Sequence, residues 1–163
     1  NIIPLFPDSN KIHFEIWGSG DESYNSRLAE ISSQRQHKNI HLMGYVERSR
    51  VKDIFNGSFI SIIPSLWHDN LPNSLIESMS NGVPVISPNY GCFPEFITDG
   101  ENGYLYNNYN DLKAVFKRIM NLKENEKSQL SCNSTMFAKK TFSSKLHVDK
   151  LIKVIKKADE KNC

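Results

Sequence analysis

Short apolar runs alternate with longer amphipathic stretches through residues 12–106, and no other feature of the chain narrows its fold as far. That alternation is the pattern of βαβ units, whose parallel strands lie in a sheet covered by helices on both faces. Strands are expected at residues 12–17, 40–43, 59–63, 83–87 and 104–106. The run at 59–63 is apolar almost throughout, as a strand buried on both faces should be. Helices are expected at about 22–36, 47–56, 73–80 and 94–97, with Asp21 placed to cap the first and Gly57 to close the second. After residue 108 the pattern is helical only. Leu112, Val115, Phe116, Ile119 and Met120 keep the spacing of one buried face, and two more helices are expected near 124–139 and 145–157.

At 163 residues the chain fits one domain, 1–163, large enough to bury a core and small for a complete enzyme with two substrate sites. No apolar run approaches the roughly 18 residues of a membrane span, so a soluble domain is expected. A net charge of +2, from 20 basic and 18 acidic residues, gives no case for a nucleic-acid partner. Eight lysines between residues 139 and 161 stand against Asp149, Asp159 and Glu160. A solvated helix face and a peripheral contact with anionic lipid headgroups both fit them. Cys92, Cys132 and Cys163 are odd in number and widely spaced, which suggests neither a disulfide framework nor a zinc site and fits a reducing cytoplasm. Residues 1–7 lack the features of a signal peptide and read like the middle of a longer protein.

In open parallel sheets ligands bind at the carboxyl ends of the strands, which directs attention to the loops after Trp17, Met43, Ile63 and Ser87. A helix beginning near Asn73 would aim its free N–H groups and positive dipole end into that crevice, a setting suited to a diphosphate. Glu77 falls on its second turn, where a carboxylate can accept two hydroxyl hydrogen bonds; a solvated helix residue is the alternative. Asp69 lies ahead of the helix, either as such a ligand or as a helix cap. Gly18-Ser19-Gly20 lets a backbone approach a phosphate or simply turns a strand into a helix, since the full GxGxxG pattern is absent. Tyr90-Gly91-Cys92-Phe93-Pro94-Glu95 brings backbone amides and Glu95 to the same crevice, or forms a tight turn with a surface glutamate. His68 reads as a surface residue, and Trp67 as a packing residue rather than a stacking platform.

Pro64-Ser65, Asp69, the stretch from Pro72 to Glu77, Ser78-Met79-Ser80-Asn81-Gly82-Val83-Pro84-Val85-Ile86 and the turn from Gly91 to Glu95 together resemble the C-terminal domain of glycosyltransferase family 4. The resemblance extends more loosely from Phe14 to Tyr106 through Gly18-x-Gly20 and Asn39-Ile40-x-Leu42-x-Gly44-x-Val46. It implies an α/β fold: a Rossmann-like three-layer parallel sheet with helices on both faces, the C-terminal half of a GT-B enzyme without its first strand. It also implies that anomeric configuration is retained. By position, Glu77 is the second acid of the family's paired-acid motif and holds the ribose hydroxyls, and Asp69 is the first, where most members carry glutamate. Asn70, Leu71, Asn73 and Ser74 fall at the donor sugar and diphosphate, with Gly18 and Gly20 as further donor contacts. Gly44, Tyr45 and Val46 would line the base pocket through main-chain atoms. Pro72 stands where many members have glycine and has no N–H to offer.

The resemblance further implies that an arginine and a lysine neutralising the departing diphosphate, and the whole acceptor-binding domain, lie before the first residue given. The expected function is binding of a nucleotide-diphosphate sugar, with UDP as the expected nucleotide, in a transferase of bacterial surface polysaccharide such as O-antigen or capsule. The acceptor would be a saccharide or a lipid-linked chain, no metal or other cofactor is expected, and this stretch alone would be inactive. An epimerase or phosphorylase on the same fold, and a binding domain without catalysis, are the alternatives.

Overall fold

A computed structural model describes residues 12–33 and 39–159. Strands and helices follow one another as the alternation requires: β1 (Phe14–Trp17), α1 (Glu22–Ser33), β2 (Ile40–Gly44), α2 (Val51–Gly57), β3 (Ser61–Ile62), α3 (Asn73–Ser80), β4 (Val85–Pro88), α4 (Phe93–Phe96), β5 (Gly103–Tyr106), then α5 (Tyr109–Met120), α6 (Glu124–Thr141) and α7 (Ser144–Asp159). Asp21 accepts the N–H of Tyr24 at 2.8 Å at the start of α1, as an N-cap does. The expected continuation of α1 to residue 36 lies outside the described residues.

All pairings are parallel, but the strands form two pieces among the described residues, β1–β2 and β3–β4–β5. Phe14 stands opposite Ile40, Val85 opposite both Ser61 and Gly103. The run at 59–63 departs from its expected state. Only Ser61–Ile62 is strand, and it is half-buried. Among the described residues β3 is paired on one side: Ser61 and Ile63 donate to the carbonyls of Pro84 and Ile86, both at 2.9 Å, and its other side borders a cleft.

Val85 packs with Leu75, Met79, Phe93, Ile97 and Ala138, whereas its neighbour Ile86 packs with Tyr104, Leu112, Phe116 and Leu130. Successive strand residues point to opposite faces, so β4 is covered on both. The α3–α6 contact is close because small residues line it. A Cβ on Gly82 would stand 2.8 Å from the Thr135 hydroxyl, and Ser131 donates to the Gly82 carbonyl at 2.6 Å. Two expected details are corrected. Met120, at the last turn of α5, is 43% exposed rather than buried. Gly57 is the final residue of α2 rather than its cap; extended Ser58 follows, and its hydroxyl donates to the Ile54 carbonyl at 2.8 Å.

Along α7 the lysines and the apolar Val148, Leu151, Ile152, Val154 and Ile155 are all exposed among the described residues. No helix of the described residues is long and apolar enough to cross a membrane.

Candidate functional site

Among the described residues a gap of about 1950 Å³ lies between β1 and β3, and Gly18, Gly20, Val46, Ser74, Glu77 and Tyr90 are among the residues that border this cleft. Both sides of the sheet break therefore deliver strand-end loops to one space.

The rotation of α3 is fixed from below. The buried Ser78 hydroxyl donates to the Val83 carbonyl at 2.8 Å, so the Ser61 hydroxyl, 2.7 Å away, is the donor of the second bond and ties α3 to β3. Ser78 facing the core leaves Glu77 half-buried at the cleft wall. Its carboxylate has no hydrogen-bond or ion-pair partner among the described residues, so all its acceptor sites are open to a ligand. Pro72 stands at the N-cap in an extended conformation without a side-chain cap, which leaves the first N–H groups of α3 unclaimed by any cap.

Asp69 has a different environment. One carboxylate oxygen accepts the Ser65 hydroxyl at 2.5 Å and the other accepts the Trp67 indole N–H at 2.8 Å. It does not cap α3, which corrects that alternative. Its backbone is tied to the next strand-end loop: the Cys92 N–H donates to the Asp69 carbonyl at 3.1 Å, and the Tyr90 hydroxyl donates to the Ser65 carbonyl. Gly91, at φ +63°, permits this approach, since a Cβ there would lie 3.2 Å from the Asp69 nitrogen.

The other expected residues divide. Gly18 donates its N–H to the Gly44 carbonyl at 2.8 Å, joining the turns after β1 and β2. Asn70, Leu71 and Asn73 are exposed beside the cleft but outside its walls, as are Gly44 and Tyr45. Glu95 is exposed on α4, and the His68 ring lies 5.2 Å from that of Tyr90. Trp67 is 68% exposed and is not the packing residue expected of it. Tyr106, Asn107, Asn108 and Tyr109 line the cleft too and were missed, although the loop after β5 obeys the same strand-end rule. Burial, with smaller effects from Tyr90 and Tyr109, pushes the Tyr106 hydroxyl up to about 12, so it stays protonated and able to donate. Among the described residues no group of three His, Cys, Asp or Glu side chains is placed to hold a metal ion.

Residues 2–141 match the family model for glycosyl transferases group 1. The chain is similar to spore coat protein SA of Bacillus subtilis, 25% identical over 124 residues that make up 75% of this chain and 33% of that protein. It is also similar to the Bacillus subtilis poly(glycerol-phosphate) alpha-glucosyltransferase, 27% identical over 76% of this chain and 18% of that protein. In fold it resembles Anabaena Alr3699/HepE, solved in complex with UDP, with a TM-score of 0.83 and 14% identity over 96% of this chain and 44% of that one. The chain thus spans a third or less of these two curated relatives and under half of that structure. With the match covering most of its length, the chain belongs to the glycosyl transferases group 1 family and carries part of its GT-B fold.

Proposed function

We propose that the chain is the donor-binding part of a retaining glycosyltransferase that uses a UDP-sugar. It would transfer a hexose or N-acetylhexosamine to a saccharide or lipid-linked acceptor of a bacterial surface polysaccharide, O-antigen or capsule. The observation that carries this reading is Glu77: a half-buried carboxylate without a partner among the described residues, set in a cleft wall on the second turn of α3. A ribose presents two adjacent hydroxyls to such a group, and a diphosphate on the same ligand reaches the Asn73 and Ser74 N–H groups and the positive end of the helix. The asparagine amides and Leu71 backbone of the preceding loop lie beside the sugar, and Val46 lies beside the base. Asp69 keeps lone pairs beyond the two already used, enough for a donor-sugar hydroxyl. The bond from the anomeric carbon to the diphosphate breaks with its electron pair on the phosphate oxygen. The acceptor oxygen bonds from the same face, and its proton passes to that phosphate. Fixed amides and dipoles stabilise the leaving charge, with no metal or other cofactor required. The reaction is placed in the cytoplasm, with the lysines of α7 turned to an anionic lipid surface.

Calorimetry of the full-length protein with UDP and GDP tests the reading. Hydrogen bonds to a charged group contribute about 1.5–3 kcal/mol, so Glu77→Gln should weaken UDP binding by about tenfold or more. Unchanged affinity would remove Glu77 from the site, and tighter binding of GDP would overturn the uridine assignment. The occupied oxygens of Asp69 favour a second reading, binding without catalysis. That reading requires a full-length Asp69→Ala, Glu77→Ala double variant to function normally.

A further inference from the structure

Trp67 combines two properties that seldom occur together, an exposed aromatic face and a fixed ring. Tryptophan is among the more buried residue types, yet Trp67 is 68% exposed and the adjacent Leu66 79% exposed. The ring does not swing freely. Its N–H is held by Asp69 at 2.8 Å, Asp69 is held by Ser65 at 2.5 Å, and the segment is clamped to the next loop through the Tyr90 hydroxyl and the Cys92 N–H. With its polar edge satisfied by a carboxylate, the indole presents a flat apolar surface with no unmet hydrogen bond. A rigid aromatic plane of this kind supplies contact area at little cost in conformational entropy on binding.

We propose that the exposed face of Trp67 stacks on a sugar ring of the acceptor, with Asp69 as the positioning residue that presets the indole. The inference rests on the donor-site reading of the cleft. A pyranose has an apolar C–H face matched to the plane and hydroxyls at its edge, and the exposed polar side chains of His68 and Asn70 follow Trp67 within three residues. Position separates acceptor from donor. Ser65 and Leu66 border the cleft and Trp67 does not, so its exposed ring is left to a substrate other than a donor seated against Glu77. A nucleobase would instead lie within the cleft.

The test uses full-length protein carrying 5-fluorotryptophan, with the Trp67 and Trp17 resonances assigned by their loss in Trp67→Phe and Trp17→Phe. Trp17 lines the cleft and reports the donor. UDP is added to saturation, followed by methyl α- and β-glycosides of glucose, galactose, mannose, N-acetylglucosamine and N-acetylgalactosamine. At least one glycoside should move the Trp67 resonance saturably. Asp69→Asn should broaden that resonance and weaken the response about tenfold, a signature a purely structural role would not give. The proposal is overturned if no glycoside moves Trp67, if UDP alone moves it as far, or if its fluorine signal is insensitive to exchange of H2O for D2O because another part of the protein covers it. UDP binding by calorimetry on the same sample separates the two readings. UDP bound with Trp67 silent defeats this inference alone, whereas no UDP binding defeats the donor reading and this one with it.

Discussion

The β3–β4–β5 piece and the β1–β2 piece arise from the same kind of sequence and reach different states of burial. Every residue of β4 is buried, because Val85 faces α3, α4 and α6 while Ile86 faces α5. In β2 only Ile40 is buried, and Leu42 and Met43 are exposed. The small cluster beneath that strand consists of Leu28 and Ile40, with Phe14, Ile16 and Ile31 at its margin. An apolar run thus marks a strand without stating how many layers cover it, and the layers set what each side chain contributes. The site draws on both pieces: α3 carries Glu77 from the well-covered one, while Gly18 and Val46 come from the sparsely covered one.

Phe93→Ala probes the well-covered piece most severely. Phe93 is fully buried, and truncation of such a ring costs about 3–5 kcal/mol in urea unfolding. A loss under about 1 kcal/mol would mean that the α4 side of β4 is not a packed core. Ile86→Ala against Ile40→Ala is the sharper contrast, since both are isoleucines in parallel strands at 0% and 5% exposure. Large-to-small changes here cost about 2–5 kcal/mol, with the higher values where the surroundings cannot collapse into the space. Ile86 is expected near the top of that range and Ile40 near the bottom. Equal losses would break the comparison, because they would show β2 to be as firmly enclosed as β4.

Legibility in the sequence followed the same division. The bounds of α3 were readable because Pro72 and Gly82 punctuate a short amphipathic stretch, and with them the placement of Glu77. The break between β1 and β3 was not readable as geometry, since periodicity reports a strand's faces and says nothing of its edges. Nor were the partners of Asp69, because contacts to residues two and four positions earlier depend on a loop conformation set by Gly91 and Tyr90 in another turn. The contacts of Asn102 likewise belong to the folded loop and not to the pattern of the sequence. Asn102 is buried, accepts the Thr98 N–H at 2.8 Å and donates to the Phe96 carbonyl at 3.0 Å, stitching α4 to β5. Close approach is similarly silent in sequence: a Cβ on Gly103 would stand 2.5 Å from the Val85 carbonyl, so the β4–β5 ladder admits glycine there for spatial reasons as well as turn chemistry.

The smallest expected effect appears only in alkali and tests whether the cover of the β3–β4–β5 piece reaches the end of β5. Burial pushes the Tyr106 hydroxyl up to about 12, whereas an unfolded tyrosine titrates near 10. Between those values the folded chain holds a proton the unfolded chain has lost. The associated stability is therefore complete below about pH 10 and declines as pH rises toward 12. By pH 10.5 the decline is on the order of 1 kcal/mol or less. Tyr106→Phe removes the titrating group and keeps the ring, so its urea midpoint should fall less than that of the unaltered chain between pH 8 and pH 10.5. Parallel losses in the two proteins would show that water reaches the Tyr106 hydroxyl, and that the well-covered layer ends before the residues that line the cleft.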